Sequence, residues 1–116
     1  MPKRGTFECL SDIQESISRI EFYIGDKSYA EFLKDSLIQD AIVRNLEIIG
    51  EAAKNIPPDY IKKHTEIEWG KIAGFRDKLI HNYFGVNWDI MWDVLTSRLP
   101  KLKNQVQKLL QEITKG

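Results

Sequence analysis

Cysteine is almost missing from this 116-residue chain, and its scarcity already narrows the fold. Cys9 stands alone, so no internal disulfide can form, and together with His64 and His81 it shows no zinc-ligand spacing. Long apolar runs are missing too. The longest stretch without Lys, Arg, Asp or Glu is Leu79 to Trp88, ten residues, where a membrane span needs roughly 20. The start, Met1-Pro2-Lys3-Arg4, is basic but leads into Glu8 and Asp12 rather than into the apolar core of a secretion signal, so a cytoplasmic location is expected. There is no Gly/Ser-rich linker, repeat or low-complexity tract, and the length suits one domain over residues 1–116. Net charge is absent as well, seventeen basic residues against seventeen acidic, which argues against a surface basic all round. The balance hides an asymmetry: residues 1–60 carry seven bases and eleven acids (net −4), and residues 61–116 carry ten bases and six acids (net +4). An anionic ligand is therefore expected at the second half.

What the chain does have is helical periodicity. Apolar residues recur at three- and four-residue steps, and strand-like alternation is absent. Leu10, Ile13, Ile17, Ile20 and Ile24 mark a first helix, with Thr6 as its expected cap and Gly25 as its stop. A second segment opens at Ser28 with a capping box to Glu31, breaks at Asp35-Ser36, continues through Ile38, Ile42, Leu46, Ile49, Ala53 and Ile56, and ends at Pro57-Pro58. A short helical turn is expected over 59–63, and the next segment, from about Glu68 to Asn82, is a helix carrying Trp69, Ile72, Phe75, Leu79 and Ile80. A last helix begins at Asn87 and stripes Met91, Leu95, Leu99, Leu102, Val106, Leu109 and Ile113, with a kink expected at Pro100, whose ring meets the carbonyl of Thr96. The expected fold is all-α: an up-and-down bundle of four to five helices with a kinked C-terminal helix. So small a bundle struggles to hide every stripe, and a homodimer would cover the remainder.

Chemically able side chains crowd into one segment, Arg76-Asp77-Lys78-Leu79-Ile80-His81-Asn82-Tyr83. Arg76 offers a planar fork suited to phosphate, and His81 exchanges a proton near neutral pH. Cleavage of RNA without a metal needs those two groups, a base for the ribose 2′-hydroxyl and a cation for charge developing on the phosphate. Asp77, four residues before His81, is placed to orient the imidazole. Arg76 and His81 nevertheless stand about 140° apart on an ideal helix; the long arginine side chain could wrap part of that angle, the helix could loosen before Gly85, or two copies could complete each other's site across a dimer, which is the favoured reading. Tyr83, seven residues from Arg76, falls on the same side as Arg76. On spacing alone, an arginine and a histidine in one helix are more often a surface charge and a satisfied histidine. His64 reads as a solvated loop residue, the three tryptophans as core or interface, and Cys9 as a small apolar residue. The C-terminal bases Arg98, Lys101, Lys103, Lys108 and Lys115 read as a solvated face, with tracking of a nucleic-acid backbone as the alternative.

The segment from Arg76 to Tyr83 resembles the R-x4-H-x-Y signature of the HepT-like branch of the HEPN superfamily. Its setting is similar to that branch as well: Val43-Arg44-Asn45-Leu46-Glu47-Ile48-Ile49-Gly50-Glu51-Ala52-Ala53-Lys54 in the second long helix, Trp69-x-x-Ile72-Ala73-Gly74 before the motif, and Tyr83-Phe84-Gly85 after it. Glu68 stands where many relatives are expected to carry proline. The resemblance implies a homodimeric, metal-independent endoribonuclease without cofactors, the toxin of a toxin–antitoxin pair, leaving a 2′,3′-cyclic phosphate on its RNA. It implies Arg76 and His81 as catalytic residues, while the supporting role of Asp77 rests on its spacing to His81. It also implies an MNT-type nucleotidyltransferase antitoxin that attaches AMP to Tyr83. Two readings of other classes stand beside it: a non-catalytic accessory or nucleotide-binding subunit of a nucleotidyltransferase, and a structural helical dimer.

Overall fold

In the computed structural model the structure describes residues 5–81 and 87–115, and for Arg76, Leu79, Ile80 and His81 the backbone alone. The apolar periodicity of the sequence becomes helix throughout: α1 (Thr6–Ile24), α2 (Tyr29–Leu33), α3 (Ser36–Lys54), α4 (Pro58–Lys63), α5 (Trp69–His81), α6 (Trp88–Asp93) and α7 (Leu99–Lys115), with a π-helical turn, Val94–Arg98, joining α6 to α7. No strand occurs among the described residues. No described helix is long and apolar enough to cross a membrane.

Local chemistry sets most of the boundaries. Gly25 ends α1 at φ +50, a conformation costly for any residue with a Cβ, and its amide donates to the Glu21 carbonyl at 2.9 Å. The capping box forms as expected, with the Ser28 hydroxyl accepting from the Glu31 amide while the Glu31 carboxylate accepts from that of Ser28. Those bonds hold the Glu31 carboxyl below its ordinary range, the backbone bond to Ser28 contributing most. Asp35 caps α3 by accepting from Ile38 N. Asn87 caps α6 by accepting from both Asp89 N and Ile90 N.

Three expectations are revised. Thr6 is the first residue of α1 rather than its cap; Gly5 holds the cap position, with no side-chain bond. His64 caps the C-terminus of α4 half-buried, its ring 4.3 Å from that of Tyr60 and its Nδ1 3.4 Å from Glu66 Oε1, so it is not a solvated loop residue. The conflict expected to kink the helix at Pro100 is met one turn earlier by the π-helical turn, where the Leu99 amide donates to the Val94 carbonyl five residues back and the Thr96 hydroxyl donates to that of Trp92 at 2.8 Å. The wider turn relieves the steric conflict between the proline ring and the preceding turn.

Packing runs in the order α7, α1, α3, α5, each against the next. Leu10, Ile13, Ile17 and Ile20 of α1 are fully buried against Ile42, Leu46, Ile49 and Ala53 of α3 and Leu102, Val106 and Leu109 of α7. A second cluster fastens α2 to α6: Phe32, 1% exposed, has its ring 5.6 Å from Trp88 and 5.1 Å from Trp92, and Tyr29 lies 5.5 Å from Trp92 while donating its hydroxyl to Asp89. This cluster anchors the chain just beyond residues 82–86. Cys9 is buried in the core, as a small apolar residue would be.

Candidate functional site

The start of α5 is fixed before the motif begins. Trp69 is 4% exposed and donates its indole N–H to the His64 carbonyl at 2.9 Å, and Gln105 of α7 donates to the Glu66 carbonyl at 3.2 Å. A helix held this firmly at its N-terminal end carries residues 76–81 on a defined line.

α5 remains α-helical through His81, so positions 76 and 81 keep their separation of about 140° around the axis. Position 76 follows Trp69, Ile72 and Ala73 by seven, four and three residues, the side of α5 that carries the buried Trp69. Position 81 belongs to a different face, in register with Gly70, Gly74 and Asp77 at steps of four, three and four. That face is open at its two glycines: a Cβ built at Gly70 or Gly74 would meet nothing within 4 Å. Asp77, exposed, shares it. The structure thus brings the positions of Asp77 and His81 onto one face and leaves that of Arg76 on another, and Tyr83 lies outside the described residues. Loosening of the helix between Arg76 and His81 is not how the two would meet.

Beside α5 the bundle is open. A cleft of about 380 Å³ separates α5 from the π-helical turn and α7. Its floor is Leu46, Ile49, Ile72, Phe75, Leu99 and Leu102, and its rim carries Lys71, Arg98 and Lys101 with Glu66 and Glu68. Lys71 Nζ is 2.7 Å from Glu68 Oε2. The Glu68 carboxyl is held below its ordinary range by that bonded lysine first and by the fields of Arg98 and Lys101 behind it. The periodicity of the sequence could not show this cluster, because Lys71 and the pair Arg98/Lys101 belong to helices whose adjacency only packing creates. Of the other C-terminal bases, Lys103 is turned to α1, 3.1 Å from Glu21.

A smaller groove of about 290 Å³ lies between α1 and α3. Asn45 and Ser16, both buried, line it, and the Asn45 amide donates to the Ala41 carbonyl at 2.9 Å. Its Arg19 is bound to Glu15 at 2.9 Å. Among the described residues no group of three or more His, Cys, Asp or Glu side chains is placed to hold a metal ion.

Comparison with known proteins places this geometry in a class. The model of the family described as "Ribonuclease HepT-like" matches residues 13–109, from α1 through most of α7. The "Probable ribonuclease HepT" of Thermococcus cleftensis is 45% identical over 107 residues, 92% of this chain and 97% of the relative. A protein of Methanocaldococcus jannaschii named "Putative RNase" is 41% identical over 113 residues, 97% of this chain and 93% of its own length. One of the same designation from Caldanaerobacter subterraneus is 49% identical over 85 residues, 73% of this chain and 76% of the relative. No solved structure matches. The chain belongs to the HepT-like ribonuclease family of the HEPN type.

Proposed function

We propose that this protein is a metal-independent endoribonuclease and the toxin of a toxin–antitoxin pair. The observation that carries the reading is membership of the HepT-like ribonuclease family together with the complete Arg76-x4-His81-x-Tyr83 sequence, of which positions 76 and 81 lie on α5. His81 takes the proton from the ribose 2′-hydroxyl, whose oxygen attacks the adjacent phosphorus. Arg76 stabilises the charge that accumulates on the phosphoryl oxygens, and the 5′-oxygen leaves with a proton, giving a 2′,3′-cyclic phosphate and a 5′-hydroxyl. Asp77, on the face of position 81, orients the imidazole. A homodimer supplies Arg76 of one copy beside His81 of the other, which the separation of the two positions on a regular helix favours.

Control acts through Tyr83. An MNT-type nucleotidyltransferase transfers AMP from ATP to its hydroxyl, releasing pyrophosphate and the phenolic proton; the new phosphodiester pairs with Arg76, and the adenosine fills space that RNA requires. Inactivation is by occlusion, with the bundle intact.

The test is cleavage of RNA by purified protein in the presence of EDTA. Activity should persist, products should carry the cyclic phosphate, and either His81→Ala or Arg76→Ala should lower the rate at least about 10²-fold. DNA cut at a comparable rate would refute the mechanism, since DNA lacks the attacking hydroxyl. Tyr83→Phe should remain an active ribonuclease that the transferase fails to silence. Mass spectrometry showing Tyr83 unmodified after co-expression with the transferase would refute control by AMP. Growth arrest on expression, lost in His81→Ala, separates a toxin from a non-catalytic accessory subunit.

A further inference from the structure

The cleft between α5 and α7 pairs a floor of aliphatic and aromatic side chains with three cations gathered on its rim. Lys71 comes from α5, Arg98 from the π-helical turn and Lys101 from α7, and beside them stands Glu68, bound directly to Lys71. Glu66 adds a second carboxylate at the rim, 3.4 Å from the His64 ring, so the three cations and two carboxylates carry a net charge of +1. Glu68 and Lys71 are both well exposed, with side chains 56% and 75% accessible. An exposed pair of this kind is worth little and is screened by salt, so its carboxylate is readily displaced by a stronger anion.

The local helix geometry serves the same cleft. The π-helical turn ends at Arg98, and Val94, Ser97 and Arg98 of that turn all line the cleft. Arg98 and Lys101 are three residues apart, neighbours on one face. Lys71 precedes Arg76 by five residues, about 7.5 Å along α5, and His81 by ten, about 15 Å. A strand of a few nucleotides spans that distance.

We propose that the α5–α7 cleft is a strand-holding subsite for single-stranded RNA. Lys71, Arg98 and Lys101 take successive backbone phosphates, with the Glu68 carboxylate displaced from Lys71, and the neighbouring base lies on the floor formed by Ile72, Phe75, Leu99 and Leu102. The inference rests on the ribonuclease reading and extends it by placing substrate contacts outside the R-x4-H-x-Y motif. Phosphate and apolar contact are common to RNA and DNA, so the subsite holds either strand, and only the 2′-hydroxyl at the motif decides which is cut.

The test measures binding of a fluorescein-labelled 12-nucleotide RNA to the full chain carrying His81→Ala, which prevents cleavage, across a series of salt concentrations. Adding Lys71→Ala, Arg98→Ala and Lys101→Ala should reduce the slope of log K against log salt by about 2, since each phosphate-bound cation contributes about 0.7 on a single strand. Glu68→Gln, which removes the competing carboxylate, should tighten binding several-fold. If the triple variant is not folded by circular dichroism, Arg98→Ala and Lys101→Ala are measured singly, and each should lower the slope by about 0.7. With His81 intact, a 12-nucleotide DNA should inhibit RNA cleavage competitively, and the inhibition should weaken in the triple variant. If the variants bind with unchanged slope and affinity while the unaltered protein still cleaves RNA, the subsite is refuted and the ribonuclease reading survives. If the unaltered protein neither binds nor cleaves RNA, both fall. If the triple variant keeps its RNA affinity but no longer binds the nucleotidyltransferase, the cleft is a protein-docking surface and the proposal is overturned.

Discussion

At the scale of single residues, two kinds of side chain hold the machinery in place without taking part in it. Trp69 locks the beginning of α5 through its buried ring and its bond to the His64 carbonyl. Phe32 does the corresponding work for α6 by filling the space between Tyr29, Trp88 and Trp92. Because Phe32 is 1% exposed, Phe32→Ala removes its apolar contacts and leaves a cavity, which should cost about 3–5 kcal/mol in urea unfolding. A loss below about 1 kcal/mol would mean that the aromatic cluster is not a packing centre. The sequence marked all three tryptophans as core or interface residues, and Trp69, Trp88 and Trp92 are indeed packed in or against the core. It did not mark Phe32 as the common neighbour of Trp88 and Trp92, because residues that far apart in the chain meet only through folding.

At the scale of elements, the bond between Tyr29 of α2 and Asp89 of α6 joins two helices too short to be stable alone. Hydrogen bonding to the Asp89 carboxylate first, then burial and the repulsion of that charge, push the Tyr29 phenol above its ordinary value of 10.0. The linkage has a definite sign. A folded-state value above the unfolded one adds stability that is fully present below about pH 10 and disappears as pH rises through the raised value. Stability measured by denaturant from about pH 9 to 12 should therefore fall less steeply in Tyr29→Phe than in the unaltered protein, and parallel curves would show that the bond contributes nothing. Helix limits set by local chemistry, at Gly25, Ser28, Asp35 and Asn87, could be read directly because capping involves residues within a few positions of each other. The way the helix accommodates Pro100 could not. Proline demands relief from the preceding turn, but whether a helix answers with a kink or with a π-helical turn depends on how Leu95 and Leu99 must seat in the core.

At the scale of the whole molecule, large apolar side chains left uncovered bear on assembly. Phe22 is 83% exposed, Leu37 78% and Ile90 60%. Scattered apolar residues on a surface are ordinary, yet these add to the geometric argument that Arg76 and His81 require two copies to converge. Sedimentation at tens of micromolar should show a dimer. Mixing inactive Arg76→Ala with inactive His81→Ala should restore activity, since a mixed dimer regains one complete site. A monomer, or mixtures that stay inactive, would remove the proposed two-copy site.

The sequence by itself determined the all-α fold, the helical stripes that form the core and the presence of the Arg76-x4-His81 set on one helix, because each is written in spacings of three to seven residues that a helix converts directly into faces. It also limited what could be built there, since 140° between two positions follows from helix geometry alone. Tertiary structure decided the rest. The order α7, α1, α3, α5 leaves a gap between its two ends, and that gap, rather than any local pattern, gathers Lys71, Arg98 and Lys101 around Glu68. The physical reason is the nature of packing: burial of apolar stripes sets which helices touch, and charges distant in sequence become one field only after the stripes have been matched.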